Sequence, residues 1–134
     1  MKQLKSFIEQ HEAIYRPVDA ATINAAEQAL HITFTPDYRA WLENVGVLSY
    51  EATEVFGLGV KETAWLSILR STVELRQQYP AFPASAVPLM DAEDGHYYLY
   101  DNATGKIVRW SPLSGIVETL SVSLETFVLQ HIEQ

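Results

Sequence analysis

The sequence predicts an α+β fold, on three observations. Amphipathic helical spacing fills the chain from Leu4 to Tyr79, short β-rich runs separated by turn residues crowd between Val87 and Leu120, and a last helical stretch follows Ser123. Helices and strands segregated in this way argue for a mainly antiparallel sheet flanked by helices, since parallel βαβ units need alternation. A chain of 134 residues that is 48% hydrophobic is expected to fold as a single domain over 1–134, burying roughly two-thirds of its unfolded surface around one core.

Leu4, Phe7, Ile8 and His11 recur at helical spacing, and the first helix is expected to end near Tyr15-Arg16-Pro17, where proline disfavours continuation. Asp19 is placed to cap a second helix carrying Ile23, Ala26, Glu27 and Leu30. Thr35-Pro36 reads as a cap followed by proline at the first helical position, and opens a third helix with Tyr38, Trp41, Leu42 and Val45 inward. Gly46 then stops it in a left-handed conformation. "EVFGLGV" predicts a short strand or edge. "AWLSILRSTVELRQQY" predicts a fourth helix facing inward through Leu66, Leu69 and Val73 and ended by Pro80, with Pro80, Pro83 and Pro88 marking a loop. "VPLM", "HYYLYD", "KIVRW" and "IVETL" read as strands, and Ser123 caps a final helix with Leu124, Phe127, Val128 and Ile132 inward.

Two registers are open for the hairpin around "NATG". A three-residue loop, Ala103-Thr104-Gly105, groups Tyr98, Tyr100, Val108 and Trp110 on one face and is preferred; a four-residue loop groups Tyr97, Leu99, Val108 and Trp110 instead. A slip of one residue exchanges the faces, so the choice decides which tyrosines are available to a partner.

Seventeen acidic against nine basic residues give a net charge of −8, which repels nucleic acid and anionic membranes and attracts basic partners. The acids are uneven: Glu43 to Glu62 and Asp91 to Asp101 hold four each, with Lys61 the one Lys or Arg in either segment. With no cysteine there is no thiolate chemistry, disulfide or Cys-ligated zinc. The four histidines lack metal-binding spacing. The Asp91–Asp101 segment fails as a calcium loop, because putting Gly95 at loop position six leaves Met90 first. "GLG" and "SPLSG" lack the settings of a dinucleotide site and a hydrolase nucleophile. No catalytic residue, cofactor or metal is therefore expected. Neither a signal segment nor a membrane-length apolar run is evident, and the cytoplasm is the expected compartment. Tyrosines interleaved with acids supply amphipathic contact area beside steering charge, which points to protein binding.

"AEQALHITFTPDYRAWLENVG", "VFGLG", "VPLMDAEDGHYYLYD", "TGKIVRW" and "SLETFV", in this order and spacing, resemble the SUKH superfamily, which includes the yeast cell-wall synthesis regulator domain and many bacterial immunity proteins. Val47 departs from the pattern, standing where members usually carry a second small residue after the helix-ending glycine. The resemblance implies a strongly curved sheet with flanking helices, no enzymatic activity, and neutralisation of a cognate protein toxin by occlusion. A nucleic-acid-degrading toxin, with its basic cleft, is the partner that acidity would serve best. Glu51, Glu54, Asp91, Glu93, Asp94, Tyr97 and Asp101 are the expected contacts, acids steering and tyrosine anchoring. A regulatory scaffold binding cellular proteins is the alternative, and a small enzyme or ligand-binding protein with a pocket on the sheet is a third.

Overall fold

The computed structural model describes residues 1–133. Helix α1 (Lys2–His11) buries Leu4 and Ile8, and ends earlier than its proline suggests because Glu12 turns left-handed at φ 55°. His11 faces outward, its ring stacked on Phe7 at 4.0 Å. The chain released before Pro17 forms strand β1 (Ile14–Tyr15). Helix α2 (Ala20–Leu30) starts where the Asp19 side chain accepts from the Thr22 N–H, and α3 (Pro36–Asn44) starts where the Thr35 hydroxyl accepts from the Tyr38 N–H.

Strands β2 (Leu48–Tyr50) and β3 (Thr53–Val55) join β1 in an antiparallel sheet ordered β1-β2-β3. Helix α4 (Ile68–Gln78) then begins behind the Ser67 cap, and its inward face is not the expected stripe. Ile68, Ser71, Thr72 and Leu75 are buried, whereas Leu66 and Leu69 only pack at the margin and Val73 faces solvent.

Strands β4 (Ala86–Glu93), β5 (His96–Asp101), β6 (Lys106–Ser111) and β7 (Gly115–Leu120) make the second antiparallel sheet in sequence order, and α5 (Leu124–Ile132) closes behind the Ser123 cap. Pro88 lies within β4, not in the preceding loop. It is tolerated because β4 is an outer strand of this sheet and the register shifts between Pro88 and Met90. The two sheets meet where the Phe56 N–H donates to the Leu89 carbonyl at 2.8 Å.

The preferred hairpin register is overturned. Asp101, in place of Asn102, pairs with Lys106, leaving a four-residue loop in which the N–H of Gly105 (φ 71°) donates to the Asp101 carbonyl. The Asp101 carboxylate also accepts from the Ala103 N–H at 3.0 Å. Tyr97, Leu99, Val108 and Trp110 therefore share one face and Tyr98, Tyr100, Ile107 and Arg109 the other. Both faces are covered. Tyr100 and Ile107 enter the main core with α2, α3 and α5, where Tyr100 stacks on Tyr38 at 5.1 Å. Leu99, Val108 and Trp110 enter a smaller core with Leu75, Phe82 and Tyr79, Trp110 meeting Phe82 edge-on at 5.2 Å.

Three glycines let the backbone cross itself beside α3. A Cβ on Gly46 would lie 1.9 Å from the Arg16 carbonyl oxygen, one on Gly59 2.3 Å from the same atom, and one on Gly57 2.5 Å from the Gly46 carbonyl oxygen. Gly46 also has φ +72°, which side chains resist. The crossing is hydrogen-bonded throughout: Arg16 N–H to Val45 O at 2.9 Å, Val47 N–H to Leu58 O at 3.0 Å, and Trp41 Nε1–H to Gly46 O at 3.1 Å.

Gly46→Ala should lower unfolding free energy by about 3–4 kcal/mol, since neither backbone nor neighbour can yield. Gly95→Ala, in open space at φ +78°, should cost about 1 kcal/mol, from backbone conformation alone. Denaturant midpoints of the two variants measure the contrast. Burial raises the phenols of Tyr38, Tyr97 and Tyr100 above their ordinary value of 10.0, Tyr38 furthest because it is fully enclosed. The folded state then holds these protons more tightly than the unfolded chain. Their contribution is intact below the ordinary phenol value and is lost as pH rises beyond it. Alkaline titration followed by phenolate absorbance should show these tyrosines ionising late, Tyr38 together with unfolding.

Candidate protein-interaction surface

Two tight turns and the strands beside them carry most of the expected acids. The β2–β3 turn is Glu51-Ala52, between the paired residues Tyr50 and Thr53, with Glu51 at φ 52°. The β4–β5 turn is Asp94-Gly95, between Glu93 and His96, with both turn residues at positive φ (51° and 78°), the geometry that Asp-Gly favours in two-residue hairpins. Ala92 is bulged out of β4 and Glu93 sits at φ 63°, a bend held by the Asp91 carboxylate, which accepts from the Glu93 N–H at 2.8 Å. Ala52 of the first turn, Thr53 at the start of β3, and Met90 to Glu93 beside the second turn line one groove of about 300 Å³, together with Tyr98 and His131.

Asp91 and Glu93 are the carboxylates that line this groove, and among the described residues neither makes an ion pair. Among the described residues the ion pairs use Glu125, Glu27 and Glu74, and none involves Glu51, Glu54, Asp91, Glu93 or Asp94. Three of the five occupy left-handed backbone without being glycine, each costing on the order of 1 kcal/mol. Like charges on two turns that border one groove add repulsion, and among the described residues no ion pair offsets it.

Tyr97 lies on the opposite face of the sheet from Met90 and Tyr98. It lines a separate cleft of about 240 Å³ with Phe56, Trp65, Glu74 and Gln78. Asp91 is its cross-strand partner, and the Tyr97 phenol is raised by burial and then by the nearby Asp91, Tyr79 and Glu74. Asp91 thus stands on the ridge between the two concavities. Asp101 is set apart, at the far end of β5 from the acidic turn, roughly 16 Å away along the strand. Its carboxylate caps the Asn102–Gly105 loop, where it also meets the Thr104 hydroxyl at 3.3 Å.

Sequence reasoning missed Trp65 and Glu74. It placed Trp65 inside a helix, although Ser67 standing before Ile68 was a helix cap and puts Trp65 in the preceding strap. Asp94-Gly95 was likewise a hairpin signal. If the acids of the two turns have no structural duty, replacing them should not harm the fold. The combined Glu51→Gln, Glu93→Gln and Asp94→Asn variant should be as stable as the parent or gain up to about 1 kcal/mol at low salt, the gain shrinking as salt screens the repulsion. Thermal melts across a salt series check this.

Among the described residues no helix is long and apolar enough to cross a membrane, and no three His, Cys, Asp or Glu side chains are grouped to hold a metal ion. No curated protein matches the chain. A family model described as SMI1-KNR4 cell-wall matches residues 1–133. It thus spans both sheets, the glycine crossing and the two acidic turns. The chain belongs to the SMI1-KNR4, or SUKH, family.

Proposed function

We propose that this protein is an immunity protein that binds a cognate bacterial toxin domain through the acidic end of the molecule and neutralises it by occlusion. The observation behind this reading is the pairing of two hairpin turns into one groove whose carboxylates have no intramolecular cation. Unpaired surface acids on rigid turns do little for the fold, and they project a field that draws in a basic surface and orients it before contact. Membership of a family with many immunity proteins agrees with this use. Glu51, Glu54, Asp91, Glu93 and Asp94 steer, and Tyr97, rigid and partly enclosed, anchors on the adjoining face. Asp101 contributes at most to the far rim.

The cell-wall wording of the family description favours a second reading, a regulatory scaffold that uses the same surface on cellular proteins. The two separate by partner. Under the first reading, co-expression with a toxin encoded by the neighbouring gene rescues growth. Reversing Asp91, Glu93 and Asp94 to lysine should then slow association with that toxin by about 10–100-fold at low salt, with a smaller effect at high salt. Stopped-flow association rates measure it. Unaltered rates and full rescue by the reversed variant would place the contact elsewhere.

A further inference from the structure

We propose that the cleft between α4 and the β4–β5 hairpin receives one arginine side chain presented by a protein partner, its guanidinium laid against Trp65 and Tyr97 and hydrogen-bonded to Glu74. This inference rests on the protein-binding reading above and adds the chemistry of the residue that is bound.

Trp65 is 47% exposed, although a tryptophan so placed could pack away. It is displayed on a strap that is tightly held. The Gly57 N–H donates to the Leu66 carbonyl at 2.9 Å, the Ile68 N–H to the Gly57 carbonyl at 2.9 Å, and Arg70 Nη1 to the Thr63 carbonyl at 2.8 Å. Phe56 supports the indole edge-on at 5.3 Å. A rigid, half-exposed aromatic ring beside a cleft is the kind of group that dominates protein interfaces.

The walls select for a cation. Phe56, Trp65 and Tyr97 supply aromatic surface, Glu74 and Gln78 supply acceptors, and no basic residue lines the cleft. Glu74 is held from the other side by Arg70, whose Nε donates to Oε1 at 2.9 Å. Arg70 itself lines a different groove, on the outer side of α4, that Glu74 also borders. Arg70 takes one carboxylate oxygen and leaves the second for a ligand. Asp91, across the strand pair from Tyr97, adds negative potential at the mouth. At about 240 Å³ the cleft is below the roughly 300 Å³ at which drug-sized ligand sites begin. It suits one long side chain. A planar guanidinium can stack on the rings and form a fork to the carboxylate together, which a compact ammonium cannot.

The test uses the full chain and Nα-acetyl-arginine amide, with the neutral isostere Nα-acetyl-citrulline amide as control, followed by NMR of the Trp65 indole N–H and the Tyr97 ring. Arginine amide should shift both signals saturably, citrulline amide should bind at least tenfold more weakly, and Glu74→Gln should weaken arginine binding at least about fivefold. Trp65→Ala, read through Tyr97, should abolish it. If that variant does not fold, Trp65→Phe, which keeps an aromatic face, should retain binding within about threefold. Equal binding of citrulline, or indifference to Glu74→Gln, would overturn the proposal. Because no toxin is present, the outcomes stay distinct. Arginine binding without growth rescue would count against the immunity reading alone, and rescue without arginine binding against the cleft alone.

Discussion

Everything that this surface displays hangs from the crossing of backbone at Gly46, Gly57 and Gly59. There the end of α3, the entry to β2, the chain after β1 and the chain after β3 approach more closely than any Cβ would allow. Because the strands of the first sheet are two or three residues long, their own ladders are too short to fix their position. The crossing does so, with Trp41 packed in the core and its indole N–H bound to the Gly46 carbonyl. Gly57 extends the effect outward, since its parallel bridge to Ser67 sets both the start of α4 and the strap that carries Trp65.

The second sheet is fixed in another way, by burial on both faces. Tyr100 and Ile107 are enclosed on one side, and Leu99, Val108 and Trp110 on the other. A sheet clamped like this cannot slip by one residue without moving polar Arg109 and the edge of Tyr98 into the smaller core, so its register is strongly specified. The β4–β5 turn therefore projects from a sheet of fixed register. Bulges at Pro88/Met90 and Asp91/Glu93 bend β4 on its way to the turn, which borders one groove with the β2–β3 turn.

The helices were legible wherever a cap and an apolar stripe coincide, as with Asp19, Thr35-Pro36 and Ser123. They were misread where the two disagree. In α4 the inward positions include Ser71 and Thr72, small polar residues that a hydrophobic stripe does not predict, with Ser71 satisfied by its bond to the Ser67 carbonyl. The hairpin register was ambiguous for a physical reason. Apolar residues stand on both faces, so alternation carries no sign of which side is core, and the turn had to decide. The turn in turn depended on Asp101, whose carboxylate closes a four-residue loop when it was expected to face a partner. The acids of the two turns were visible as local charge, whereas the approach of the two turns across one groove depended on tertiary packing, and the strap with Trp65 left no periodic trace.

Charge placement separates display from support. Where this protein uses acids structurally, it pairs them: Glu27 joins Arg39 at 2.7 Å and accepts from the Phe34 N–H at 2.8 Å, and Asp19 caps α2. The turn acids have no such partner, and three of them occupy backbone conformations that glycine would adopt more readily. A chain shaped by stability alone would put Gly or Asn at Glu51, Glu93 and Asp94 and keep like charges apart. Retaining them on two clamped turns raises the free energy of the isolated molecule, and only the electrostatic share of that cost could be offset by positive charge. A rigid anionic ridge flanked by an aromatic cleft loses little conformational freedom when it meets a basic surface, so more of the contact energy remains as affinity. Under the proposed function, a cationic partner would relieve that repulsion, whereas the backbone strain stays with the turns.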